Sequence, residues 1–129
     1  MTESSKESTG GPALLTPAEL ADVRRGGVER RFSAGEIIVR EGERNAALYA
    51  VESGALHAYR STERRRYFLG QLPAGCCFGE VSLFDPGPTT ATVAGVSDGT
   101  LLVLDQRALT AFLEREPAAG CRLLTRLLT

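Results

Sequence analysis

The sequence predicts a mainly β domain, a sandwich or barrel of short strands, with helices at both ends. Between residues 28 and 105 short apolar or alternating runs are separated by Gly, Pro, Asn and Asp, which favours such an architecture over βαβ units. The segments before and after this region have helical spacing instead. At 129 residues the chain is long enough to bury a core of its own, so we expect one domain.

The first helix is predicted by its capping residues. Thr16 and Glu19 form a capping-box pattern, and Pro17 occupies the first helical position. The spacing predicts a helix from Pro17 to about Arg25, ended by the glycines at 26 and 27. Residues 2–11 have no large apolar side chain, so we expect a flexible tail over residues 1–13 ahead of a single domain over residues 14–129.

Strand predictions rest on apolar runs bounded by turn residues. The runs predicted to form strands are Ile37–Val39, Leu48–Val51, Ala55–Tyr59, Tyr67–Leu72, Thr90–Val96 and Thr100–Leu104.

The C-terminal segment returns to helical spacing. Asp105 is a plausible N-cap, and Leu109, Phe112 and Leu113 fall on one helix face before Pro117 ends the segment. A second short helix is expected from about Ala118. Its apolar stripe is formed by Leu123, Leu124, Leu127 and Leu128.

Composition excludes several classes of function. With 15 Lys and Arg against 16 Asp and Glu the net charge is -1, so no global field attracts nucleic acid or anionic lipid. The N-terminus has no apolar signal region, and no run approaches the roughly 18 apolar residues of a membrane span. We therefore expect a cytoplasmic protein whose three cysteines, Cys76, Cys77 and Cys121, are reduced thiols.

The sequence does not support a catalytic function. The single histidine, His57, cannot build a clustered metal site, and Ser82 has no general base that the sequence can name. We therefore predict no catalytic residue, no metal ligand and no enzyme activity. The run Thr62–Arg66 separates two predicted strands, and we interpret it as an exposed hairpin turn, with a contact to an acidic partner or a phosphate as the alternative.

Several motifs in a fixed order resemble the cyclic nucleotide-binding domain family. They are SAGEIIVREGERNAALYAVESGALHAY, which is Ser33–Tyr59, followed by LPAGCCFGEVSLF, TTATV and LLVLDQRALTAFLEREP. The resemblance extends from about Leu14 to the end of the chain. It implies a β-roll of the jelly-roll type with a phosphate-binding cassette between two strands, and cAMP or cGMP as the ligand.

The resemblance also implies the role of each cassette residue. Gly79 corresponds to the glycine whose backbone approaches the cyclic phosphate, and Glu80 to the acid that bonds the ribose 2'-hydroxyl. Thr90 matches the small polar position that bonds phosphate through its hydroxyl and amide. The implied ligand-binding positions are Gly79, Glu80, Val81, Ser82, Thr89, Thr90 and Ala91.

The cassette departs from the family at one position. Members that bind cyclic nucleotides usually carry arginine directly before the small polar residue, where this chain has Thr89. Threonine supplies neither a charge nor a two-pronged hydrogen bond. A charge-assisted hydrogen bond contributes about 1.5 to 3 kcal/mol, so phosphate binding should weaken by roughly tenfold to more than a hundredfold.

These observations predict a non-enzymatic regulatory module with weak or altered nucleotide binding. Its output is expected through a protein partner or a second copy, bound by the C-terminal leucine stripe, with no nucleic acid or membrane as partner. The alternative is a functional cAMP or cGMP sensor. In that case Arg60 or Arg64 reaches the pocket, or the cassette amides suffice alone.

Overall fold

A computed structural model describes residues 15–43, 47–79 and 91–118. The predicted tail, the second C-terminal helix with its leucine stripe, Cys121 and the middle of the cassette lie outside the described residues. The helices are α1 (Pro17–Gly26) and α2 (Gln106–Arg115). The strands are β1 (Val28–Phe32), β2 (Ile37–Val39), β3 (Leu48–Ser53), β4 (Leu56–Ser61), β5 (Arg66–Leu72), β6 (Cys77–Phe78), β7 (Thr92–Gly95) and β8 (Gly99–Leu104).

Helix α1 begins where the capping residues predict. The Thr16 hydroxyl accepts a hydrogen bond from the Glu19 amide at 3.1 Å, and the Glu19 carboxylate accepts one from the Thr16 amide at 2.9 Å. At the other end the Gly27 amide donates to the Val23 carbonyl. The predicted capping box is confirmed, and it satisfies amides that the first turn leaves without a helical partner.

Helix α2 also begins at its predicted cap. The Asp105 carboxylate accepts a hydrogen bond from the Ala108 amide at 2.8 Å. Leu109 and Phe112 are buried and Leu113 packs beside them, as the helical spacing predicts. This face holds the helix against the β-core.

The strands form two antiparallel sheets in the described part of the chain. Their orders are β1-β8-β3-β6 and β2-β7-β4-β5, so most neighbours in space are distant in sequence. Such crossed connections are those of a jelly roll, and the predicted mainly β fold with flanking helices is confirmed. All six predicted strands are present within a few residues of their predicted bounds.

Two strands, β1 and β6, were not predicted from the sequence, and each omission has a physical reason. In β1, four of the five residues Val28–Phe32 lie at least partly in solvent and three of them are charged, so the run lacks an alternating apolar pattern. Strand β6 has only the two residues Cys77 and Phe78, which is too short for a periodic signal.

The first sheet separates two apolar clusters because side chains alternate along its strands. The helix-side core packs α1 and α2 against one face, and its buried members are Leu15, Val23, Leu48, Ala50, Cys77, Leu102, Leu104, Leu109 and Phe112. The inter-sheet core fills the roll, and its buried members are Phe32, Val39, Tyr49, Val51, Leu56, Phe78, Val93 and Leu101.

Candidate functional site

Gly79 marks one end of the predicted cassette. It follows β6 directly and has φ of 87°, a conformation that a side-chain-bearing residue adopts at a cost. The preceding residue, Phe78, is buried and stacks on Tyr49 with ring centroids 4.9 Å apart and planes 12° apart. This stack fixes the start of the cassette to the inter-sheet core.

The other end of the cassette is held by a short chain of hydrogen bonds. Ala91 lies directly before β7, and the buried Thr92 hydroxyl accepts a hydrogen bond from the Glu41 amide at 3.0 Å. The Glu41 carboxylate in turn accepts one from the Ser61 amide at 2.9 Å. The start of β7, the turn after β2 and the end of β4 are therefore tied together.

The two cassette ends belong to different sheets. Gly79 leaves the edge strand β6 of the first sheet, and Ala91 enters β7 inside the second. The segment between them therefore connects the two sheets. The five other predicted positions, Glu80, Val81, Ser82, Thr89 and Thr90, lie outside the described residues.

The floor of the roll supplies no buried cation in the described part of the chain. The buried charged residues there are Glu19 and Asp22, and both belong to α1 on the other side of the first sheet. Ala58 and Leu72 pack against the inter-sheet core from β4 and β5. A phosphate placed at the cassette therefore depends on backbone amides, or on a cation that reaches in from the rim.

Strand alternation distinguishes the two arginines named as substitutes for the missing cation. Leu56 and Ala58 face the inter-sheet core, so Arg60, two residues further along β4, lies on the same face at the strand's outer end. Arg64 lies in the exposed turn between β4 and β5. Arg60 thus shares the strand face of Leu56 and Ala58 while remaining exposed at the strand's end, which distinguishes it from Arg64.

An ion-pair cluster, which sequence reasoning missed, joins the two helices. The buried Asp22 of α1 accepts hydrogen bonds from Arg115 of α2 at 3.1 and 3.2 Å and from Arg25 at 3.0 Å. Burial alone would raise the pKa of Asp22. The hydrogen bond and charge of Arg115, a hydrogen bond with Glu116 and the charge of Arg25 outweigh burial and lower that pKa.

The neighbouring Glu116 shifts in the opposite direction. Desolvation raises its pKa, and the hydrogen bond and negative charge of Asp22 raise it further. The protonated form of Glu116 can donate to the Asp22 carboxylate, whereas two carboxylates would repel each other there. No sequence signal marks this cluster, because it joins residues 93 positions apart.

Two findings on the described residues concern metal ligands and membrane-spanning helices. No group of three or more His, Cys, Asp and Glu side chains in them is placed to hold a metal ion. The helices in the described ranges are too short or too polar to cross a bilayer. His57 lies half-buried on the outer face of the second sheet, with its ring against Phe68, and is turned away from the cassette.

The two sheets and their flanking helices form a β-roll, and the chain belongs to the cyclic nucleotide-binding domain family. The model of that family matches residues 29–116. The chain is 31% identical over 111 residues to the cAMP-dependent protein kinase regulatory subunit of Mycosarcoma maydis, covering 82% of this chain and 21% of the relative. It is 30% identical over 94 residues to the CRP-like cAMP-activated global transcriptional regulator of Mycobacterium tuberculosis, covering 72% of this chain and 42% of the relative.

A solved structure supports the same assignment. The crystal structure of the Thermus thermophilus catabolite activator protein superposes with a TM-score of 0.77 at 30% identity, covering 88% of this chain and 54% of that one. The chain therefore spans between about a fifth and about half of the length of these proteins.

Proposed function

We propose that the chain is a non-enzymatic regulatory module whose cassette binds cAMP or cGMP weakly and whose output passes through contacts with a protein partner or a second copy. The observation that carries this proposal is the missing cation. From Tyr67 to Gly99 the sequence contains no Lys or Arg, and the resemblance implies that Thr89 stands where family members that bind the ligand usually have arginine. Among the described residues no Lys or Arg is buried in the inter-sheet core to replace that charge.

Electrostatics set the expected size of the effect. A cyclic phosphate carries a negative charge, and Glu80 would add a second negative charge close to it. Losing a charge-assisted hydrogen bond of about 1.5 to 3 kcal/mol weakens binding by roughly tenfold to more than a hundredfold. The cassette amides and the glycine at its mouth retain part of the anion site.

The relatives support a regulatory rather than catalytic role. The two named above are a kinase regulatory subunit and a transcriptional regulator, and both names refer to cAMP. In this proposal the leucine stripe of residues 123–128 contacts the protein partner or the second copy.

Calorimetric titration with cAMP and cGMP at low salt tests the proposal. We expect heats from the wild-type chain only at high micromolar to millimolar ligand. Thr89→Arg should tighten binding at least tenfold, and Thr89→Gln, which is polar but carries no charge, should not. The proposal of weak binding is wrong if the wild type binds at low micromolar ligand, if Glu80→Ala loses this binding, and if Thr89→Arg does not improve it.

A functional sensor is the second candidate, and the placement of Arg60 favours it. Strand alternation places Arg60 on the strand face of Leu56 and Ala58, from which its guanidinium can approach a bound phosphate. In the same titration Arg60→Ala should then abolish low-micromolar binding, while the exposed turn residue Arg64 serves as the matched control. Equal effects of the two substitutions would exclude a specific role for Arg60.

A further inference from the structure

The outer face of the second sheet carries a groove of about 470 Å³. Its walls include Ile37 of β2, His57 and Tyr59 of β4, Arg66 and Phe68 of β5, and Val96 just after β7. His57 and Tyr59 alternate with Leu56 and Ala58, which face the inter-sheet core. The groove therefore lies on the opposite side of the sheet from that core, and neither described end of the cassette, Gly79 or Ala91, lines it.

The groove combines aromatic walls with a fixed cation. The His57 ring meets Phe68 edge-on, with centroids 4.8 Å apart and planes 71° apart. The Arg66 guanidinium carbon lies 4.3 Å from the centre of the Tyr59 ring, a cation–π contact that orients the side chain. Phe68 and Val96 remain 54% and 47% exposed, so large apolar surfaces stay open to solvent beside the cation.

The charge next to the groove is mainly positive. Arg64, Arg65 and Arg66 stand beside a single glutamate, Glu63, a net charge of +2 on a chain whose total is -1. No carboxylate lines the groove. Within the described part of the chain, Arg66 has no ion-pair partner within 4.0 Å.

The hairpin turn presents further arginines in a defined position. The Thr62 amide donates to the Arg65 carbonyl at 2.8 Å and closes the turn that carries Arg64 and Arg65. Both arginines are exposed. A ligand seated in the groove with several negative charges can thus extend from Arg66 toward this turn.

We propose that this groove is a docking site for an acidic peptide segment of a protein partner. An apolar or aromatic side chain of the peptide packs between Phe68 and Val96, and a neighbouring carboxylate pairs with Arg66. Further acidic residues reach Arg64 and Arg65. The interface residues that contribute most to binding energy are enriched in aromatic residues and arginine. This patch contains both kinds of side chain.

The shape and charge of the patch favour a peptide over nucleic acid. Nucleic acid binding draws its affinity from many phosphate contacts, whereas this chain has a net negative charge and the positive residues form one short hairpin. The inference goes beyond the proposed function, because it names a second surface and does not require nucleotide binding.

Selection from a displayed random peptide library on the immobilised full chain tests the proposal. We expect enriched peptides to combine Asp or Glu with Phe, Leu or Trp, and to bind more weakly as salt is raised because exposed ion pairs are screened. Arg66→Glu and Phe68→Ser should each weaken the enriched peptides at least tenfold in fluorescence anisotropy. Both residues are exposed, so the variants should melt at close to the wild-type temperature.

Two substitutions on the first sheet provide matched controls. Arg31→Glu reverses an exposed charge on β1, and Val28→Ser removes an apolar side chain that is 69% exposed. Neither should change peptide binding. The proposal is wrong if no enriched peptide loses affinity in both groove variants. It is also wrong if a single-stranded oligonucleotide binds at physiological salt in a way that depends on Arg66 and the peptides do not. Titration with cyclic nucleotide measures binding at the cassette separately, so a failure of this proposal can be distinguished from a failure of the proposed function.

Discussion

At the scale of single residues, the ring of Phe32 occupies space that three glycines leave open. An added Cβ at Gly95 would lie 2.6 Å from the Ser33 carbonyl oxygen and 2.9 Å from Cδ1 of Phe32. At Gly54 it would lie 3.1 Å from the tip of the same ring, and at Gly99 it would meet that tip as well. These glycines are needed because the backbone passes within contact distance of a buried aromatic side chain.

Replacing one of these glycines should destabilise the fold. We expect Gly95→Ala to lower the free energy of unfolding by about 1 to 3 kcal/mol, since the new methyl group cannot fit without moving the backbone or Phe32. Gly26→Ala is the control, because its Cβ would meet only the end of the Arg115 side chain at 3.5 Å, an ordinary van der Waals distance. Urea unfolding measures both variants. Equal stability of Gly95→Ala and the wild type would contradict the crowding argument.

Asp22 makes stability depend on pH in a defined direction. Its folded pKa lies below the ordinary value of about 3.9, so its contribution is complete above that value and is lost as pH falls through the folded pKa. Asp22→Asn removes the charged acceptor from Arg115 and Arg25. We expect it to cost about 1 to 3 kcal/mol at neutral pH, with a smaller difference from the wild type in acid.

Glu116 should show the opposite pH dependence. Its folded pKa is raised, so its contribution is complete below the ordinary value and is lost as pH rises through the folded pKa. Glu116→Gln keeps a neutral donor beside Asp22 at every pH, and the variant should therefore gain stability relative to the wild type as pH rises. Urea unfolding between pH 3 and 8 gives both comparisons. Parallel curves for all three proteins would exclude this coupling.

At the scale of helices and strands, the sequence predicts elements best where the deciding interactions are local. The capping box of Thr16 and Glu19 and the cap at Asp105 act over three residues, so both helix starts could be located in advance. Alternating runs located six strands in the same way. Strand β1 was missed because its partner β8 decides its conformation, and the pairing of Val28 with Val103 spans most of the chain.

The candidate site depended more on resemblance than on physical pattern. Motif order predicts a cassette between two strands, and of its predicted positions Gly79 directly follows β6 and Ala91 directly precedes β7. The outer groove had no comparable signal, since Phe68 and Val96 are brought near each other by strand β4, which pairs with both β5 and β7. Only the exposed arginine turn, suggested as a contact for an acidic partner, indicated that surface in advance.

At the scale of the whole molecule, the two cores share the first sheet and should unfold together. Leu48 and Ala50 of β3 pack into the helix-side core, while Tyr49 and Val51 pack into the inter-sheet core. Strand β3 therefore cannot leave one core without opening the other. Such sharing favours a single cooperative transition in a domain of this size.

The buried thiols next to the cassette can measure this cooperativity. Cys76 and Cys77 are 3% and 7% exposed, and the Cys76 carbonyl accepts a hydrogen bond from the Val51 amide of β3 at 2.9 Å. In a Cys121→Ser background, which removes the third thiol, we expect both cysteines to react with a thiol reagent only when the whole domain unfolds.

Labelling rates across a series of urea concentrations test this expectation. If opening is global, the free energy derived from labelling should equal that from urea unfolding, and it should fall with urea at the same slope. The slope matters because it scales with the surface exposed on opening. A rate that is fast in native buffer and insensitive to urea would show instead that β6, paired to β3 through two residues, detaches alone and releases the start of the cassette.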